Sequence, residues 1–162
     1  MVEQSDMMLL GKSQLLEGLS EAQLDLIHAV ADVAWFDKGA AITQAGEWGT
    51  AAYLVVSGNV IVADAPANSG YQDILGPGTF IGELAMLTEV TYAATVVAAE
   101  PLRALVIQRE ALYAVLEDAP EIAEHISDKL ARRLSSLADD LRAVDERFEA
   151  LETSLERIPD AA

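Results

Sequence analysis

Cysteine is absent from this 162-residue sequence. Its absence excludes disulfides, thiolate metal ligands and thiol nucleophiles together, and it suits a reducing cytoplasm. Basic residues are scarce: 10 Lys and Arg stand against 27 Asp and Glu, a formal net charge of −17. Such a surface repels a polyanion unless a basic patch overrides it, and the densest group is only Lys129 with Arg132-Arg133. Nucleic acid is therefore not expected as a direct partner, and the acidic surface reads as a solubility feature. Long hydrophobic runs are missing too. Met7-Met8-Leu9-Leu10 is short and has no basic segment before it, so neither a signal peptide nor a membrane span is expected. Aromatic residues make up only 6% of the chain. Trp35, Phe36 and Tyr53 are expected to fill a core, whereas Trp48 lies in a polar turn and suits a surface or an interface.

Apolar residues, by contrast, make up 52% of the sequence, so a packed interior is expected rather than disorder. The length suits one domain with an extension. The first segment reads as short helices. Ser20-Glu21-Ala22-Gln23 has the form of a capping box, and Leu24, Ile27, His28 and Ala31 follow at helical spacing. From about Val30 to Gln108 the period shortens. The runs Ala52–Val56, Val60–Val62 and Ala94–Val97 are β-branched or aromatic-rich, and turns at Gly46, Ser57-Gly58-Asn59, Asn68-Ser69-Gly70 and Gly76-Pro77-Gly78 separate them. Closely spaced short strands without crossover helices predict an antiparallel jelly-roll or barrel.

Helix returns near Arg109–Glu117, and Pro120 opens a last segment with Glu121 and Glu124 near its start. From there Leu130, Leu134, Leu137, Leu141, Val144, Phe148, Leu151, Leu155 and Ile158 recur in alternating steps of four and three, up to Pro159. That is the heptad pattern of a coiled coil. A helix from Pro120 to Ile158 would run roughly 55 Å, longer than a small domain is wide. At least its distal half needs a second chain, so a homodimer is expected. In a parallel register Arg147 would face Glu152 favourably, but Asp140 would face Asp145, and the orientation stays open. The sequence thus divides into residues 1–119, a domain with flanking helices; 120–158, the dimerisation helix; and a tail at 159–162.

The chemistry concentrates in Gly76-Pro77-Gly78-Thr79-Phe80-Ile81-Gly82-Glu83-Leu84-Ala85-Met86-Leu87, followed by Thr91-Tyr92-Ala93-Ala94-Thr95-Val96. A Gly-rich turn leads into a short apolar helix beginning at Gly82 and Glu83. Free N–H groups at such a start can meet an anion, and glycine permits close approach. A plain turn-helix-strand connection accounts for the pattern equally well. Gly76-x-Gly78-x-x-x-Gly82 opens no βαβ unit and is not a dinucleotide fingerprint. His28 and His125 fall on separate helices without ligand spacing, and no nucleophile elbow or calcium loop is present. No catalytic residue, enzymatic activity or metal site is expected.

The same stretch resembles the phosphate-binding cassette of the cyclic-nucleotide-binding domain family, which reads F-G-E-L/I-A-L-L, a short gap, then P-R-x-A-T-V. Gly46-Glu47-Trp48-Gly49 with Tyr53–Val60 is similar to the family's G-x-x-G-D-x-x-Y-x-I-x-x-G-x-V strand pair. Pro120–Leu134, ending Ala131-Arg132-Arg133-Leu134, resembles the start of the dimer helix in CAP/FNR-type regulators. The resemblance implies an α+β fold: an eight-stranded antiparallel, jelly-roll-like β-roll with flanking N-terminal helices and a long C-terminal dimerisation helix. It places Gly82 and Glu83 at the ribose and cyclic phosphate, Leu84 and Ala85 as backbone contacts, and Tyr92 and Ala93 at and after the phosphate anchor.

The sequence departs from the pattern at three places. Thr91-Tyr92 stands where the family has Pro-Arg, Thr50 replaces the Asp of Gly-Asp, and Leu137 and Ala138 align with the Thr-Ser pair that reads adenine. Arg pairs bidentately with phosphate, while Tyr supplies one neutral hydroxyl. Loss of the anchor is expected to cost about 1.5–3 kcal/mol, or roughly 10- to 100-fold in affinity. Arg103 and Arg109 are the first substitutes to consider. No cofactor is certain, and cyclic AMP or cyclic GMP is expected to bind weakly or not at all. The resulting expectation is a cytoplasmic homodimeric sensor that relays the state of its pocket to a partner protein, without a DNA-binding domain. The alternative is a ligand-free structural or interaction module that keeps the β-roll as a dimerisation scaffold.

Overall fold

The computed structural model describes residues 3–63 and 74–157. The expected turn at Asn68-Ser69-Gly70, the heptad residue Ile158 and Pro159 lie outside the described residues. The chain opens with α1 (Gln4–Gly11) and α2 (Glu21–Ala29). The capping box at the start of α2 closes both ways, Gln23 N donating to Ser20 Oγ at 3.2 Å and Ser20 N to Gln23 Oε1 at 2.9 Å. It satisfies two amides that a helix start leaves orphaned.

The strands are β1 (Asp32–Phe36), β2 (Ala41–Thr43), β3 (Trp48–Gly49), β4 (Ala51–Ser57), β5 (Val60–Val62), β6 (Ile74–Leu75), β7 (Phe80–Ile81), β8 (Val90–Thr91), β9 (Val96–Ala98) and β10 (Leu102–Gln108). All pairings are antiparallel, in two four-stranded sheets, β1-β10-β4-β7 and β2-β9-β5-β6, with β3-β8 as a separate ribbon. The described residues therefore hold ten strands, not the eight expected. Two extended runs are each divided. Trp48–Ser57 divides at Thr50, where the partner changes from β8 to β10, and Val90–Ala98 divides between β8 and β9, where the partner changes from β3 to β5. The chain then enters a 3-10 turn (Glu83–Met86) between β7 and β8, and after β10 come α3 (Arg109–Asp118) and α4 (Pro120–Glu156).

Side-chain alternation sorts the core into two layers. Ile42, Val55, Val60, Ile81, Val96, Ala98, Leu102 and Ala104 come from both sheets and fill the inside of the roll. Leu54 and Leu105, paired across β4 and β10, are buried but stand outside that cluster. Helical residues Leu10, Ile27, Leu112 and Ile122 are fully buried as well. Burying such a Leu or Ile side chain is worth about 1.5–3 kcal/mol. Covered on both faces, β10 reads as a continuous apolar run rather than an alternating one.

Phe36 and Tyr53 pack on this core edge to face, ring centroids 6.1 Å apart. Trp35 does not, contrary to expectation: it is 73% exposed. Phe36 next to it takes the core face of β1, and Trp35 points to the other, where the Arg103 guanidinium lies 6.0 Å from the ring centroid. The chain divides into two compact units, 1–125 and 126–162, the division falling inside α4.

Candidate functional site

Gly82 has φ +66° and ψ 33°, left-handed values that a side chain rarely adopts, and it caps the 3-10 turn. A Cβ there would come within 2.6 Å of Tyr92 Cε1. At Gly49 a Cβ would stand 2.6 Å from Ala85 Cβ and 3.1 Å from Tyr92 Cε1 and Cζ. The Tyr92 ring thus lies against two glycine backbones that only glycine allows it to reach. Its hydroxyl donates to Ala51 O at 2.8 Å. Its backbone is held at both ends by the Gly46-Glu47 turn, through Tyr92 N to Glu47 O and Gly46 N to Tyr92 O, each 2.9 Å. Tyr53 completes the cluster. Burial, and then the neighbouring charge and hydrogen bond of Tyr92, raise its phenol above the ordinary value.

The other expected site residues differ in exposure. Glu83 is half-buried, Leu84 is half-exposed, Ala85 is buried and Ala93 is exposed. Ala85 N donates to Gly82 O at 2.9 Å inside the turn, so this amide is engaged by the chain itself. Four residues of 3-10 geometry also carry little of the aligned dipole that a long helix offers an anion.

Both candidate arginines hold other groups of the chain. Arg103 forms a paired contact with buried Asp6 of α1, Nη2 to Oδ2 at 2.7 Å and Nη1 to Oδ1 at 3.1 Å. Arg109 Nη1 donates to three carbonyls, Gly49 O at 3.0 Å, Ala85 O at 3.1 Å and Thr88 O at 3.0 Å. Its backbone N donates to Thr50 O at 2.9 Å, and Tyr113 Oη, one turn further along α3, donates to Leu87 O. This clamp on the 3-10 turn was not evident from the sequence, because an Arg opening a helix signals nothing about which carbonyls it will reach.

A second candidate surface lies on α4. Leu134, Leu137, Leu141, Val144, Phe148, Leu151 and Leu155 are between 44% and 67% exposed, while Leu130 is half-buried. The seam keeps its four-three spacing along the helix without a break. Among the described residues no three acidic or His side chains gather as a metal site, and no helix is long and apolar enough to cross a membrane.

Residues 33–119 match the cyclic nucleotide-binding domain family. The chain is 33% identical over 126 residues to the Cyclic AMP receptor protein of Thermus thermophilus, covering 75% of this chain and 57% of that protein. Among solved structures it resembles the N-terminal domain of a transcriptional regulator from Streptomyces coelicolor, with TM-score 0.73, 25% identity, 82% of this chain and 94% of that one covered. It also resembles the sensor domain of the transcriptional regulator DNR from Pseudomonas aeruginosa, with TM-score 0.61, 29% identity, and 82% and 90% covered. The chain spans between 27% and 61% of the length of three curated relatives that it matches.

Proposed function

The chain belongs to the cyclic nucleotide-binding domain family, and we propose that it works as a homodimeric sensor or regulatory module that relays the state of its β-roll to a partner protein in the cytoplasm. The observation that carries this reading is the seam of seven apolar side chains left open along α4. At 1.5 Å per residue this 37-residue helix runs about 55 Å. A strict a/d stripe on it is the surface that another copy of the same helix covers. Light scattering on the full chain tests it: a dimer at micromolar concentration is the expected result, and a monomer would refute the reading.

Cyclic nucleotide binding is weak or absent in this account. The family's Arg neutralises the cyclic phosphate, and Tyr92 offers no charge for that role. Arg103 and Arg109 do not stand in, since the first pairs with Asp6 and the second holds three carbonyls. Leu137 and Ala138 offer no hydrogen bond to a base. The packing of Tyr92 on Gly49 and Gly82 also favours a second reading, in which the roll takes no diffusing ligand and serves as a dimerisation scaffold. Saturable stabilisation by a cyclic mononucleotide in a thermal-shift titration would overturn this second reading.

A further inference from the structure

Three successive carbonyls sit at the centre of this site, held by three donor atoms of two residues. Gly49 O accepts from Arg109 Nη1, Thr50 O from Arg109 N, and Ala51 O from Tyr92 Oη. Tyr92 therefore grips one end of a three-residue segment whose other end is held by the first residue of α3. The 3-10 turn is tied to the same two side chains. Gly82 meets the Tyr92 ring, and Ala85 O and Thr88 O accept from Arg109. Tyr113 adds a second tie from α3 to Leu87 O. A ring placed where Tyr92 sits thus fixes β3, β4, the 3-10 turn and the first turn of α3 at once.

We propose that Tyr92 is a tethered occupant of the site, an autoinhibitory contact that takes the place of a diffusing ligand and holds the 3-10 turn and α3 in one arrangement. The proposal rests on reading the β-roll as a sensor and adds what fills it. The space it defines has the chemistry of a phenol: a flat apolar ring against two glycines, and one hydroxyl directed at a backbone carbonyl. No charge is required of the occupant.

Hydrogen–deuterium exchange on the full chain tests this, with p-cresol as the probe. Tyr92→Ala is expected to raise exchange at residues 83–88 and at the Arg109 amide by at least about tenfold. Millimolar p-cresol should reverse both changes saturably and leave the wild type unaltered. Tyr92→Phe, which keeps the ring, should stay within about threefold of wild type at Arg109. Val60→Ala, in the other sheet, controls for general loosening. If Tyr92→Ala does not fold, Tyr92→Leu replaces it with the same expected outcomes. The proposal is overturned if Arg109 exchange in the Tyr92 variant matches the Val60→Ala control, or if p-cresol restores nothing. These readouts lie within one protomer, so a monomeric wild type would remove the dimeric sensor and leave this result standing.

Discussion

Single side chains decide what this site can hold. Gly82 combines a left-handed backbone with a ring in contact, so Gly82→Ala should lose about 2–4 kcal/mol of stability from strain and overpacking together. Urea unfolding measures this, and a variant as stable as the wild type would contradict the packing described. The residue-level signals were legible only in part. Glycines at 49 and 82 and a tyrosine at 92 are visible in the sequence. That the tyrosine would fold onto both glycines is not, because residues 43 and 10 positions away in the chain meet only through the β3-β8 ribbon and the 3-10 turn. The three-carbonyl clamp of Arg109 was hidden for the same reason: backbone acceptors leave no trace in residue type.

Among the elements, the helices were the most legible, since caps and heptads are local. The Ser20 capping box and the opening of α4 at Pro120 both fall where the sequence predicts. Strand divisions were not, because they fall where a run passes from one partner strand to another, from β8 to β10 at Thr50 and from β3 to β5 after Thr91, and such pairing is tertiary. Trp35 and Phe36 are adjacent, so only one of them can take the core face of β1, and the strand's register gives it to Phe36. α1 carries a buried ion pair as well as the buried Leu10. Burial pushes the Asp6 carboxyl up, but the Arg103 hydrogen bond, the Glu3 amide and the charges of Arg103 and His28 more than offset it, leaving it below its usual 3.8. A depressed carboxyl contributes stability that is present above the unfolded value and lost as pH falls through the folded one. Wild type should therefore lose stability on acidification below 3.8, and Asp6→Asn should lack that component. Denaturant unfolding of both proteins at matched acidic pH checks this; parallel curves would contradict it. Arg103 is raised by the same contact and stays charged throughout.

At the scale of the whole molecule, the assembly follows from the α4 seam and the partner range from the charge. Leu141→Asp and Phe148→Asp each place a carboxylate in the expected seam and should give monomers by light scattering, with the β-roll still folded by circular dichroism. Dimers in both variants would show that the seam is not the interface. With a net charge of −17 and no clustered Lys and Arg, no submicromolar sequence-dependent duplex binding is expected at physiological salt, as anisotropy titration can establish. The central claim is a cyclic-nucleotide-type fold whose site Tyr92 has closed to cyclic nucleotides. Calorimetric titration of cyclic AMP and cyclic GMP into wild type and Tyr92→Arg tests it most directly. The account predicts wild-type binding weaker than about 10 µM and a gain of about one to two orders of magnitude in the variant; micromolar or tighter binding by the wild type would contradict it.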